Sequence, residues 1–395
     1  MIYIGFIGIV SLTAFFLTNK RQSLILMLML FFIFVAFSFP SGGDWIGYFN
    51  NYDCLVNAKC ASDFTMFEPG YELLVKIFGG LGFQVVVVVI ALINVFLLGK
   101  FSNQFDRPGI VILFFICVFL WSLYMEAIRQ SVAISLLLIG LLWLFKGNIK
   151  KFFLSVLLAS FFHITALVCL IFLLPYFSKK ISTIVSYSLI IFSVIFMIIP
   201  ITILEFIIKF LPQTSMYAMK LNFYLLSDEY SPKNSMGIGT ILDVLLIGLI
   251  VYSLCKVNKY KLFISFNFNQ IVFLGVALYI AFAIMVGKVM PVMTRIGWYG
   301  FPLVLILLYV NIGNSKFYTG ISVFEKKYIS RYLIFIYFLL QTLRPLTYPY
   351  NNYSIMHQET IFQKIYNLDD SSLRIEASKK CLELTRIGYG YLCDN

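Results

Sequence analysis

Apolar positions run almost without a break through ten stretches of the chain, near 1–17, 23–40, 84–100, 109–125, 127–145, 181–199, 237–255, 264–287, 296–313 and 329–343. Each approaches the roughly 20 apolar residues that an α-helix needs to cross a bilayer. An eleventh apolar run, near 152–176, carries His163 close to its middle. The pattern predicts an all-α integral membrane protein with about 10–12 transmembrane helices. No basic residues precede the first run and no small-residue cleavage site follows it, so a helix is expected there and not a signal peptide.

The short connections between these runs carry most of the cations: Lys20 and Arg21, Lys100 and Arg107, Lys146 with Lys150 and Lys151, Lys256 with Lys259 and Lys261, and Lys316 with Lys326, Lys327 and Arg331. Basic short loops stay in the cytoplasm. That rule places the loops 41–83 and 200–236 and the segment 344–395 on the far side, and predicts a membrane domain over 1–343 followed by an extracytoplasmic tail. Lys179 and Lys180 break the parity if 152–176 crosses once. A re-entrant or broken hairpin with His163 near its tip restores it, provided that a wet cavity or protein covers the irregular backbone. In 200–236, Glu205 and Lys209 stand four apart on an otherwise apolar helix, which predicts an interfacial helix near 201–211, followed by a polar and aromatic stretch suited to roofing a cavity.

Composition agrees with a bilayer protein. Of 395 residues, 61% are hydrophobic and only 12% charged, and the mean hydropathy is +0.92; soluble domains carry about twice that share of charge. The net charge of +12 lies mainly in the topology-setting loops, so a nucleic-acid partner is excluded. Of the seven cysteines, Cys54 and Cys60 share the first outer loop and Cys381 and Cys393 share the tail, two candidate disulfide pairs for an oxidising compartment. No metal-ligand spacing and no nucleotide loop occurs, so no metal and no cofactor is expected.

Polar groups at the membrane edge are costly unless paired or wet, which makes them the candidate site. Asp44, after Gly42 and Gly43 and among Trp45, Tyr48, Phe49, Tyr52 and Asp53, is placed to act as a general base beside rings that stack on sugars. Glu68 opens a Pro-Gly turn that ends at Tyr71; it is a second acid, a partner for an arginine, or a helix-start carboxylate. Glu126, Arg129 and Gln130 are expected on one helix face, where the arginine fork suits phosphate oxygens, the alternative being an intrahelical Glu126–Arg129 pair. His163 is one of only two histidines, with Thr165 two residues on; it is a phosphate or hydroxyl contact, the base itself, or a buried structural histidine. Lys288 is a further cation for a phosphate, Arg295, with Trp298 and Tyr299 close by, is a second phosphate ligand or an interface anchor, and Asp243 is a ready partner for either cation. On the expected topology these groups meet in the outer half of the membrane, and they suit sugar transfer from a lipid diphosphate, which needs cations for the leaving group and one base for the incoming hydroxyl.

The ordered segments GGDWIGYF, FEPGYELLVKIF, MEAIRQSVAISLLLIG, LASFFHITAL and TRIGWYGFPLV, spanning roughly 41–305, resemble the EpsG family, membrane proteins grouped with the Wzy-type polymerases of O-antigen, capsule and exopolysaccharide. The resemblance implies a GT-C-like glycosyltransferase in the cytoplasmic membrane with its active site facing the periplasm or exterior. It implies an undecaprenyl-pyrophosphate-linked oligosaccharide as donor and acceptor, and a chain-length regulator and a flippase of the same pathway as partners. By position, Asp44 and Tyr48, the Glu68–Tyr71 turn, the Arg129–Gln130 pair and His163 match the family pattern, and Arg295 matches it more loosely. With Lys288 and Trp45 added from the reading of the residues, Asp44, Glu68 and His163 are the catalytic candidates, Arg129, Gln130, Arg295 and Lys288 the pyrophosphate ligands, and Trp45, Tyr48 and Tyr71 the sugar contacts. Ile164 and Thr165 depart from the residues expected after the family's histidine. Rival readings are an O-antigen ligase, which shares the donor, and a flippase or transporter, which would place its charges at mid-membrane.

Overall fold

A computed structural model describes residues 2–39, 42, 44–60, 67–210, 212, 222, 225, 238–260, 263, 265–318, 328–364 and 368–386. Nearly everything described is helix. Eight helices are long and apolar enough to span a membrane, and Ile2–Phe16, Ile164–Phe177 and Ile329–Gln341 are shorter apolar helices. The predicted polytopic all-α architecture is the one observed. The chain forms two compact units, one built of residues 1–167 and 335–395, the other of 168–334.

The first unit opens with α1 (Ile2–Phe16) and α2 (Lys20–Phe37). The connection over 41–83, expected on the outer side, contains two helices among the described residues, α3 (Asp44–Asn57) and α4 (Pro69–Phe78), ahead of α5 (Phe83–Ser102). The physical reason is the spacing of the aromatics: Trp45, Tyr48, Phe49 and Tyr52 fall on one helix face and gain more from burial than from solvent. α6 (Pro108–Glu126) is the unit's core helix, 83% buried against its neighbours; α1, α2 and α5 pack on it. Its last turns, Leu120–Glu126, are π-helical. α7 (Ile128–Phe145) pairs with α8 (Ile149–Ser160). Between α5 and α7 the Asn94 carboxamide donates to Ser131 Oγ and accepts from Ser135 Oγ, both at 2.7 Å, the kind of polar link that fixes helix register where lipid supplies no hydrophobic drive.

The apolar run 152–176 is broken at the expected place: α8 stops at Ser160, Phe161 to His163 form a turn, and α9 (Ile164–Phe177) resumes as 3₁₀-helix. The boundary between the two units falls inside α9.

The second unit contains α10 (Lys179–Ile198), α11 (Pro200–Phe210), α12 (Ile238–Tyr260), α13 (Asn267–Val289) and α14 (Pro291–Tyr309). α11 covers the predicted interfacial helix; Leu204 and Ile208 are buried while Glu205, Lys209 and the rings of Phe206 and Phe210 are exposed. The stretch expected to roof a cavity lies almost wholly outside the described residues.

α15 (Tyr328–Gln341) crosses back into the first unit, where Phe338 stacks on Phe114 at 3.8 Å and Thr342 accepts a hydrogen bond from the Tyr3 hydroxyl. The segment expected as a separate tail folds on this unit as α16 (Pro349–Met356) and α17 (Asp370–Arg386). Leu373, Ala377 and Leu384 of α17 complete the core that buries Trp45, Tyr48 and Tyr71. The Phe39 backbone N–H donates to Glu359 O, and Gln358 Nε2 donates to Ser38 Oγ, so the exit of α2 is sealed by the C-terminal segment.

Candidate functional site

The site in the first unit is organised by the turn into α3. Gly42 has φ +89°, a left-handed conformation natural only to glycine, and a Cβ there would stand 2.7 Å from Glu126 Oε1. That glycine therefore lets the chain cross the end of α6 before Asp44 enters the first turn of α3, where it is half-buried.

Glu126 and Arg129 do not share a helix face. The π-helical end of α6 and the non-helical Ala127 (φ −93°, ψ 55°) reorient the chain between them. Glu126 is buried and accepts from the Trp121 indole N–H at 3.1 Å. Arg129, in the first turn of α7, pairs with Glu68. Its guanidinium carbon lies 3.9 Å from the centroid of the Phe67 ring and 5.5 Å from that of Tyr48. The carboxylate and the guanidinium are each about four-fifths buried, with side-chain exposures of 21% and 18%. Arg129 Nε is buried and has no hydrogen-bond partner among the described residues. Gln130, next to it, is wholly buried.

Glu68 is held in place by the two residues on its C-terminal side. Pro69 occupies the first helical position of α4, where its missing N–H costs nothing. Gly70 then meets the turn between α8 and α9: its N–H donates to Phe161 O at 2.8 Å, and a Cβ would approach that same oxygen to 2.7 Å. This contact sets the α4 entrance, with Glu68, against the turn that carries His163. The half-buried His163 ring meets Thr165 Oγ1 through Nδ1 at 2.6 Å. Tyr71 donates its hydroxyl to Tyr48 O, and the two rings lie 5.5 Å apart. Trp45, Tyr48 and Tyr71, expected as sugar contacts, are at most 5% exposed; Tyr48 packs on Phe67 beside Arg129, and Trp45 packs on Phe49.

Asp53, expected beside Asp44 at the mouth, faces α17. It accepts both Nε and Nη2 of Arg374 at 2.6 Å and Nδ2 of Asn57 at 2.7 Å. Burial opposes its charge, but those hydrogen bonds outweigh burial and hold the carboxyl below its usual range. Asp370 accepts from Tyr52 and Asn57 in the same cluster. Cys54 and Cys60 form a disulfide at the end of α3. Cys381 is also disulfide-bonded; Cys393 lies outside the described residues.

In the second unit Lys288 is paired with the buried Asp243 at 3.5 Å, and Arg295 is half-buried near the start of α14. The structure thus brings Glu68, Arg129, Tyr48, Tyr71 and the His163 turn into one neighbourhood, and keeps Lys288, Asp243 and Arg295 on the other unit. Sequence reasoning passed over Phe67, although an aromatic immediately before Glu68 is the signal for its stacking role. It also passed over Asp370 and Arg374, which with Leu373 and Ala377 form the i, i+3, i+4, i+7 pattern of one helix face. Among the described residues no group of His, Cys, Asp and Glu is placed to hold a metal ion.

Comparison with curated proteins and with solved structures finds no match. A family model does match, over residues 21–354, a span that includes Glu68, Arg129, the His163 turn and Asp53, but not Arg374. The chain belongs to the EpsG family, a family associated with polysaccharide biosynthesis.

Proposed function

We propose that the protein polymerises lipid-linked oligosaccharide repeat units at the outer face of the cytoplasmic membrane, transferring the growing glycan from its undecaprenyl diphosphate onto the next lipid-linked unit. One observation carries the reading: Arg129, laid on an aromatic shelf and neutralised through one carboxylate, keeps a buried Nε uncommitted. A guanidinium so placed is suited to a diphosphate, since its planar fork matches phosphate oxygens. The Cys54–Cys60 disulfide supports an oxidising compartment for this face.

In the reaction the acceptor hydroxyl oxygen bonds to the anomeric carbon of the donor sugar. The bond from that carbon to the diphosphate oxygen breaks, and the lipid diphosphate leaves with the bonding electrons. Arg129 meets the charge that grows on the leaving oxygen. The hydroxyl proton passes to a carboxylate; Glu68 becomes available once phosphate oxygens replace it on Arg129, and Asp44 stands at the entrance to α3. His163 is the further candidate on the facing turn.

The test is the surface glycan of a host lacking the gene, resolved on a gel. A polymerase leaves single repeat units attached and removes the ladder above them. Loss of all attached glycan would assign the step to a ligase or flippase instead. Complementation with a stably expressed Arg129→Ala variant should leave single units only; an unaltered ladder removes Arg129 from the mechanism.

A further inference from the structure

α17 lies beyond the matched residues 21–354, yet it is locked onto α3 by the Asp53–Arg374 and Tyr52–Asp370 contacts. Between the two helices runs an open cleft of about 620 Å³, walled by Asn50 and Asp53 on one side and by Arg374, Ser378, Leu382 and Thr385 on the other. Its size is that of a site for a small organic ligand, and the proposed transfer step uses none of it.

We infer that this cleft binds glycan, the sugar portion of the acceptor or of the chain being extended, an assignment that rests on the polymerase reading. The lining selects the ligand class. A sugar ring offers hydroxyls that donate and accept at its edge and C–H groups on its faces. The Asp53–Arg374 pair sets acceptor and donor atoms side by side, Asn50 adds a carboxamide, and Ser378 and Thr385 add exposed hydroxyls. Leu382, 63% exposed, supplies apolar surface for a ring face. A lipid tail would desolvate the carboxylate and guanidinium without replacing their hydrogen bonds, and a polyanion would meet Asp53. Tyr48, on the shelf beneath Arg129, and Asp53 stand five residues apart on α3, roughly 7 Å along its axis. A glycan held in the cleft is therefore tethered to the helix that borders the reaction site. Because one wall lies outside the family match, this wall is where the protein reads its own repeat unit.

The test uses the full-length protein in nanodiscs and, as probe, the lipid-free oligosaccharide of two repeat units prepared from the host's own surface glycan, with binding measured by titration calorimetry. Wild type and Arg129→Ala should bind it alike, and Ser378→Trp, which fills the cleft from an exposed position, should weaken binding by about tenfold or more. Thermal unfolding reports whether that variant is folded; if it is not, Thr385→Trp takes its place. Equal binding by wild type and a folded tryptophan variant, or no binding by wild type, overturns the assignment. The outcome is independent of the ladder experiment with Arg129→Ala: the cleft can fail while Arg129 proves essential, and it can bind glycan while the transfer reading fails.

Discussion

The two arginine–carboxylate pairs of the first unit are built alike in chemistry and oppositely in closure. Asp53 is chelated by two nitrogens of Arg374 and by Asn57, and Asp370 nearby takes Tyr52 and Asn57, so every strong acceptor in the cluster is used. Glu68 meets Arg129 through one nitrogen, the guanidinium leans on Phe67, and Nε has no partner among the described residues. The difference separates a clamp from a receptor. A saturated pair keeps its own partners, so a neutral sugar can only add hydrogen bonds at its rim; an unsaturated pair on an aromatic shelf is ready to trade its carboxylate for a diphosphate.

Four perturbations break or sharpen that contrast, beginning with the largest. Arg129→Lys keeps the charge and removes the fork, and polymer above one repeat unit should fall by about a hundredfold on a gel, the scale of losing one electrostatic contact to a leaving group. Arg374→Ala leaves Asp53 buried without its main donors and should cost about 2–3 kcal/mol, read as a lower Tm and faster protease cleavage between α16 and α17.

Gly70→Ala drives a methyl into the Phe161 carbonyl and should cost about 1–2 kcal/mol in thermal unfolding while reducing polymer through displacement of Glu68. The smallest effect is set by pH. A carboxyl held below its unfolded pKa of about 4 stabilises the fold at neutral pH and loses that contribution as pH falls through the folded value. The Tm gap between wild type and Arg374→Ala should therefore narrow from pH 7 to pH 3; a constant gap would mean that Asp53 does not carry the clamp.

The spans were legible because bilayer thickness imposes a length on apolar runs, and α5, α7 and α10 lie within a few residues of where hydropathy puts them. The break at His163 was legible from the charge parity of the loops around it. Two features were not. The π-helical end of α6 leaves no mark in the spacing of its side chains, so Glu126 and Arg129 read as one face until Ala127 is seen to turn the chain. The aromatics after Gly43 read as a solvent-facing platform because their cover comes from other helices, Tyr71 and Phe83 of α4 and α5 and, more than 300 residues later, Leu373 and Ala377 of α17. Local patterns report which residues want burial, not which distant segment supplies it.

That long separation has a consequence for biogenesis. The second unit, 168–334, is spliced into the chain between the two parts of the first. While ribosomes are still delivering it, the part of the α3 core that Leu373, Ala377 and Leu384 complete and the rim around Ser38 lack their partners, which come only from α16 onward. Nascent chains halted before Asp370 should then be hostages to membrane chaperones and quality-control proteases, however completely their spans have inserted.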